Sequence, residues 1–160
     1  MISKIPRALD AIFSKDENQF FSTFDEKIIT YLDPSGRSIL INAIIENLPK
    51  IASFLLKYDE LLEMGDKKGL KPLHYCAMYD NTVIAQMLVD KGVDIDSIDN
   101  FGNTPLWKAT FEADGGISEI IDFLVNRGAN IHLENNYGVS PIGFAKETGN
   151  YNLVKKLKSY

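Results

Sequence analysis

Few residues in this chain could carry chemistry. Its 160 residues include one cysteine, Cys76, and two histidines, His74 and His132. A metal site needs several converging ligands, and no ligand spacing surrounds these three. A nucleophilic Cys76 would need a histidine or cationic neighbour to hold its thiolate. None is indicated, so a buried, quiet thiol is expected. His132 falls in a loop, where solvent accounts for it. Gly115-Gly116 is too short for a phosphate-binding loop and lacks the following lysine. Carboxylates are numerous, but Asp33, Asp66 and Asp99 recur at one interval. That suits local turn bonds better than a pair of catalytic acids. These residues suggest no enzyme, no metal and no cofactor.

Composition narrows the classes further. The formal charge of −5, with 45% hydrophobic and 24% charged residues, suits a folded globular chain. Nucleic acid is a poor partner, since phosphate binding needs a basic face. The charge permits a basic protein partner, by steering. The single cysteine excludes an internal disulfide and fits a reducing compartment. At the start, Pro6, Arg7 and Asp10 break any apolar leader, and no membrane span is visible. A cytoplasmic monomer is expected.

The elements that would position these residues centre on Asp99 to Asn130. Asp99-Asn100-Phe101-Gly102 is a turn signal, because glycine tolerates the positive φ of a tight turn. Thr104 is an N-cap, and Pro105 opens a helix at the position where its missing N–H matters least. Leu106, Ala109 and Thr110 share one face of that helix. A second helix carries Ile120, Ile121, Phe123 and Leu124, and Gly128 stops it. Such a unit cannot bury its apolar face alone; it needs copies on either side.

The copies are present. The turn glycines Gly36, Gly69, Gly102 and Gly138 lie 33, 33 and 36 residues apart. Leu55, Leu88, Leu124 and Leu157 follow them at offsets of 19, 19, 22 and 19. The extra three residues of the third unit therefore fall between its helices, in 112–116. Lys71-Pro72-Leu73-His74-Tyr75-Cys76-Ala77, Thr104-Pro105-Leu106-Trp107-Lys108-Ala109 and Ser140-Pro141-Ile142-Gly143-Phe144-Ala145 align on a Thr-Pro-Leu-His-x-Ala pattern. Ser38-Ile39-Leu40-Ile41-Asn42-Ala43 follows it more loosely. The loops Gly92-Val93-Asp94-Ile95-Asp96 and Gly128-Ala129-Asn130-Ile131-His132 also match each other. With its 33-residue period, the chain resembles the ankyrin-repeat family.

The resemblance implies an all-α solenoid of about four repeats, 33–65, 66–98, 99–134 and 135–160, behind an N-terminal helical cap or degenerate repeat at 1–32. Within the cap, 5–13 and 17–24 read as two helices, with Phe20, Phe21 and Phe24 on one side. Terminal repeats are atypical because one face meets solvent. Lys71 stands where the family prefers threonine, so a capping hydroxyl is lost there. His74 occupies the histidine slot, which the family uses to bond adjacent loops. Trp107 replaces that histidine in the third unit; packing against His74 or its loop is expected, the alternative being that its ring widens the apolar patch. Lys155, Lys156 and Lys158 suit the last turn of a terminal helix.

In the family, ligands are usually proteins, gripped by the finger turns and the exposed face of each first helix. Carried over by register, the finger positions are Ser35 and Arg37, Lys68 and Leu70, Phe101 and Asn103, Tyr137 and Val139. The first-helix pairs are Ile45 and Glu46, Met78 and Tyr79, Phe111 and Glu112, Glu147 and Thr148. The expected binding set is Lys68, Leu70, Met78, Tyr79, Phe101, Asn103, Phe111, Glu112 and Tyr137, centred on Tyr79, Phe101, Phe111 and Tyr137. Aromatics and methionine are enriched in interface cores. Within the family the chain is most similar to small bacterial ankyrin proteins of the immunity type, on the residues of 33–47, 102–111 and 135–141. That implies a non-enzymatic module that neutralises a cognate toxin, a basic toxin domain being electrostatically sensible. The alternative is a scaffold, a regulatory subunit or a host-directed effector.

Overall fold

The computed structural model describes residues 6–113 and 118–159. Ile5, where the first helix was expected to begin, lies outside them, as do Asp114, Gly115 and Gly116 of the insertion. The described residues form ten α-helices and two short 3-10 helices, with no strand. The helices are α1 Arg7–Phe13, α2 Glu17–Thr23, α3 Ile39–Ile45, α4 Pro49–Leu55, α5 Pro72–Met78, α6 Thr82–Asp90, α7 Pro105–Glu112, α8 Glu119–Asn126, α9 Pro141–Glu147 and α10 Tyr151–Leu157. The fold is the expected helical solenoid.

Each unit is a finger turn followed by a helix pair. The odd-numbered helices α1, α3, α5, α7 and α9 stack side by side as one layer, and α2, α4, α6 and α8 as the other. Helix α10 packs on α9. The repeated leucines Leu55, Leu88, Leu124 and Leu157 are all fully buried between the layers. Ala43, Cys76, Ala109 and Ala145 are buried where neighbouring first helices approach, so only small side chains fit.

Helix starts follow local chemistry. Ser38, Thr104 and Ser140 hydroxyls accept the backbone N–H of Ile41, Trp107 and Gly143. Pro72, Pro105 and Pro141 occupy the first helical turn. Lys71 supplies no side-chain cap; instead its own N–H donates to His74 Nδ1 at 3.2 Å. Asn81 and Asn150 cap α6 and α10. Helix α8 borrows its cap from the preceding unit, as Ile120 N–H donates to Asp80 Oδ1 at 3.1 Å.

Helices α1 and α2 continue the same two layers, α1 on α3 and α2 on α4. Phe20 is fully buried, and its ring meets Phe54 of α4 edge-on at 6.1 Å. Phe24 meets the same ring at 4.9 Å, and Lys57 Nζ lies 4.0 Å above it. Phe21, expected on this side, also meets Phe54 but remains half exposed.

Candidate functional site

The fingers are built by one device, used in every unit. In the first three, Asp33, Asp66 and Asp99 each fold an Oδ1 over two backbone donors: Ser35 and Arg37, Lys68 and Leu70, Phe101 and Asn103. In the fourth, Asn135 Oδ1 does the same for Tyr137 and Val139. The glycine that follows carries a φ of +83°, +77°, +79° or +73° at Gly36, Gly69, Gly102 and Gly138. Adjacent fingers then join. Asn100 N–H donates to Lys68 O at 3.0 Å, and Asn136 N–H to Phe101 O at 3.0 Å. The approach is close: a Cβ on Gly102 would lie 2.6 Å from Asn136 Oδ1. Glycine is needed there for contact as well as for φ.

Charge inside the fingers is tied down. Burial alone would raise the carboxyl pKa of Asp99, but the N–H and side-chain donors of Asn103, the Lys108 ammonium and the Phe101 N–H outweigh it and hold the pKa below the usual range. Lys108 Nζ lies 3.1 Å from Asp99 Oδ2. Asp33 is lowered likewise, against its own burial, by Arg37 and the Ser35 N–H. Asp33, Asp66 and Asp99 are thus turn formers, as their spacing implies.

His74 is the inter-loop residue. Its ring is buried, Nδ1 accepts from Lys71 N–H, and Nε2 lies 3.0 Å from Asn103 O, to which it donates. Burial drives its pKa down to about 4, against the opposing pull of Asn103 O and Asp99. His132 is exposed. Cys76 is fully buried, and burial pushes its thiol pKa far up. Among the described residues no group of three histidine, cysteine or acidic side chains could hold a metal ion. No helix there is long and apolar enough to cross a membrane.

The residues expected to bind divide into two sets. Tyr79 is 50% exposed, Phe101 42%, Phe111 54% and Tyr137 72%. Lys68 and Glu112 are exposed and Met78 half-buried. Leu70 and Asn103 are not on the surface, at 6% and 5% exposure, and this corrects their placement by register. The residue after the finger glycine lies in the bonded base of the turn, where its N–H is held by the aspartate. Asn103 also donates from Nδ2 to Asp99 Oδ2 and accepts at Oδ1 from Asn135 Nδ2.

Two grooves hold most of the exposed set. The first, of about 390 Å³, is lined by Ser35, Arg37, Asp66, Lys67, Lys68, Leu70, Tyr75, Met78 and Tyr79. Its Tyr75 and Tyr79 rings are stacked, with centroids 6.4 Å apart and planes 16° apart. The second, of about 350 Å³, runs beside Phe111 and Phe144 towards Thr148 and Asn150. Phe101 and Tyr137 sit on the consecutive third and fourth fingers.

Trp107 joins rings of the third and fourth units. Its ring stacks on Phe111 at 5.4 Å and 15°, and meets Phe144 at 5.3 Å. Its Nε1 is buried with no partner among the described residues. Tryptophan has thus given up the inter-loop bond that His74 makes and joined an aromatic platform. Phe144, which meets Phe111 at 5.6 Å, was missed by the sequence reading. Its signal was available: it lies one turn along α9 from the Ser-Pro start, in line with Thr104-Pro105 and Lys108.

Comparison with known proteins agrees with this geometry. The pattern described as ankyrin repeats, in three copies, matches residues 20–99 and 59–135. The YahD ankyrin repeat protein of Escherichia coli is 31% identical over 83 residues, 51% of this chain and 40% of YahD. The human ankyrin repeat and KH domain-containing protein 1 is 33% identical over 112 residues, 69% of this chain but 4% of that protein. The probable 26S proteasome regulatory subunit p28 of Saccharomyces cerevisiae is 25% identical over 151 residues, 88% of this chain and 65% of p28. The chain thus spans less than two thirds of each of these relatives. With more than half of its length matched in register with the observed helix pairs, the chain belongs to the ankyrin-repeat family.

Proposed function

We propose that this chain is a non-catalytic protein-binding module that grips its partner with the fingers and the exposed side of the first-helix layer. The observation that carries this is the exposure of four large rings, Tyr79, Phe101, Phe111 and Tyr137, in consecutive units. Such rings bury much apolar area at little rotamer cost when a partner covers them. The Trp107–Phe111–Phe144 platform adds rigidity, so less order need be imposed on binding. Within this reading the chain is an immunity protein, cytoplasmic and monomeric before binding, that neutralises a cognate bacterial toxin. Its charge of −5 suits long-range capture of a basic toxin domain. Similarity to a proteasome regulatory subunit over 88% of the chain favours the second reading, a scaffold or regulatory subunit.

Two experiments test the proposal. Alanine at Tyr79, Phe101, Phe111 and Tyr137 should each leave the unfolding temperature nearly unchanged, while a central anchor loses on the order of 2 kcal/mol of partner affinity. Full affinity in all four variants, with loss on a change at Lys155 in α10, would place the site on the opposite side. For the finer reading, the protein is co-expressed with the product of the gene adjacent to its own. Rescue of growth supports immunity; an adjacent gene whose product is harmless alone excludes it.

A further inference from the structure

The groove between the first and second fingers has a charge opposite to that of the whole molecule. The chain carries −5, yet this groove is lined by Arg37, Lys67 and Lys68 against one carboxylate, Asp66. Asp66 is already engaged: Oδ1 accepts from Lys68 N–H at 2.8 Å and Leu70 N–H at 2.9 Å, and Oδ2 accepts from Tyr75 OH at 2.9 Å. It has little left to offer a ligand cation. The positive groups are held in place. Arg37 Nε is fixed by Asp33 Oδ2 at 2.7 Å, and Lys67 Nζ by Pro34 O at 2.7 Å. Lys68 is exposed on the finger tip. Arg37 is already paired with the Asp33 carboxylate, whereas Pro34 O is a neutral carbonyl, so the Lys67 and Lys68 ammoniums supply the positive charge of the groove against Asp66. Beneath the charges lies an apolar wall of Leu70, Met78 and the stacked Tyr75 and Tyr79 rings.

We infer that this groove receives an acidic segment of the partner protein, one apolar or aromatic side chain seated against Tyr75 and Tyr79 and its flanking carboxylates on Arg37, Lys67 and Lys68. The inference rests on the protein-binding reading above and names the chemistry that one groove selects. The net charge of −5 does not oppose it. Salt screens the distant carboxylates beyond about 8–10 Å, while the Lys67 and Lys68 ammoniums act at contact. A partner that is basic overall can still present an acidic loop, and this groove fixes which loop enters and in which orientation.

The test uses two fluorescent peptides that differ only in charge. One has Asp and Glu around a central Leu-Phe pair; the other has Lys at each of those acidic positions. Anisotropy titrations of the intact protein should show the acidic peptide binding at least about tenfold more tightly, with affinity falling as salt rises. Lys68→Glu, on an exposed tip, should abolish that preference without shifting the unfolding temperature. Arg37→Gln should weaken binding of the acidic peptide, and circular dichroism checks that its finger still folds. Equal binding of the two peptides, or an unchanged preference in Lys68→Glu, overturns the inference. If it fails while Tyr79→Ala and Phe111→Ala still lose the natural partner, the protein-binding reading stands. If partner affinity survives those two changes as well, both fail.

Discussion

His74 stays neutral in the folded protein because its ring is buried and both nitrogens are engaged, Nδ1 as acceptor and Nε2 as donor. Its pKa falls from 6.5 to about 4, so the unfolded chain binds the proton first as pH drops. The stability from this residue is therefore complete above pH 6.5 and is lost as pH falls towards about 4, a loss on the order of 3 kcal/mol. Asp33 and Asp99, held below the usual carboxylate range, keep their contribution through most of that window and lose it only at lower pH. Thermal unfolding should show a drop between pH 6.5 and 4.5 that His74→Gln lacks; equal slopes in the two proteins would contradict the assignment. Cys76, by contrast, should react with a thiol reagent only as fast as the protein opens, because burial disfavours its thiolate. Rapid labelling under native conditions would show that it is accessible. His74 and Cys76 were legible in sequence because register assigns them to slots with one environment. Leu70 and Asn103 were not. Register gives a distance along the finger but not the side to which the bonded turn directs the side chain. Trp107 was ambiguous for a related reason, since a ring that long can reach either neighbour, and Phe111 and Phe144 are the rings it meets.

At the scale of the element, helix starts and turns were readable because each is set by local chemistry: Ser-Pro or Thr-Pro at the first turn, glycine at positive φ. What sequence did not show are the 3-10 helices at Glu26–Thr30 and Asp59–Leu61 and the borrowed cap on α8. These depend on which neighbour stands opposite, as when Asp80 reaches Ile120 across 40 positions of chain. The finger offers a direct test of the shared device. Asp99→Ala removes the acceptor for two N–H groups and leaves Lys108 without its partner, and should cost about 3 kcal/mol. Asp99→Asn keeps an Oδ1 acceptor, as Asn135 does in the fourth unit, so it should cost roughly half as much. Chemical denaturation of the two variants decides it. An equal loss would mean that the Lys108 ion pair, not the turn bonds, holds the finger.

The whole molecule is a row of units that touch only their neighbours, so stability should vary along it. The N-terminal end is well anchored. Phe20 is fully buried, and Phe20, Phe21 and Phe24 all meet Phe54 of the next unit. The exposed pairs Lys50–Glu17 and Lys15–Glu46 also cross this junction, though such pairs contribute little. Matched apolar shape, not the Thr-Pro-Leu-His pattern, joins the first two helices to the next unit. At the other end, α10 rests chiefly on α9 and reaches α8 through Lys156 and Asp122, 3.0 Å apart. Its own core is Leu153, Val154 and Leu157. In this 160-residue chain the α9–α10 pair packs on described helices from one side only, and it should open first. Amide exchange should therefore show lower protection in α9 and α10 than in α5 and α7, at mild denaturant as well as in water. Leu157→Ala should lower protection in the last pair alone, whereas Leu88→Ala, in the middle of the row, should lower it everywhere by about 2–5 kcal/mol. If Leu157→Ala destabilises α5 and α7 as much as α10, the units unfold as one body and the nearest-neighbour description is wrong for this chain.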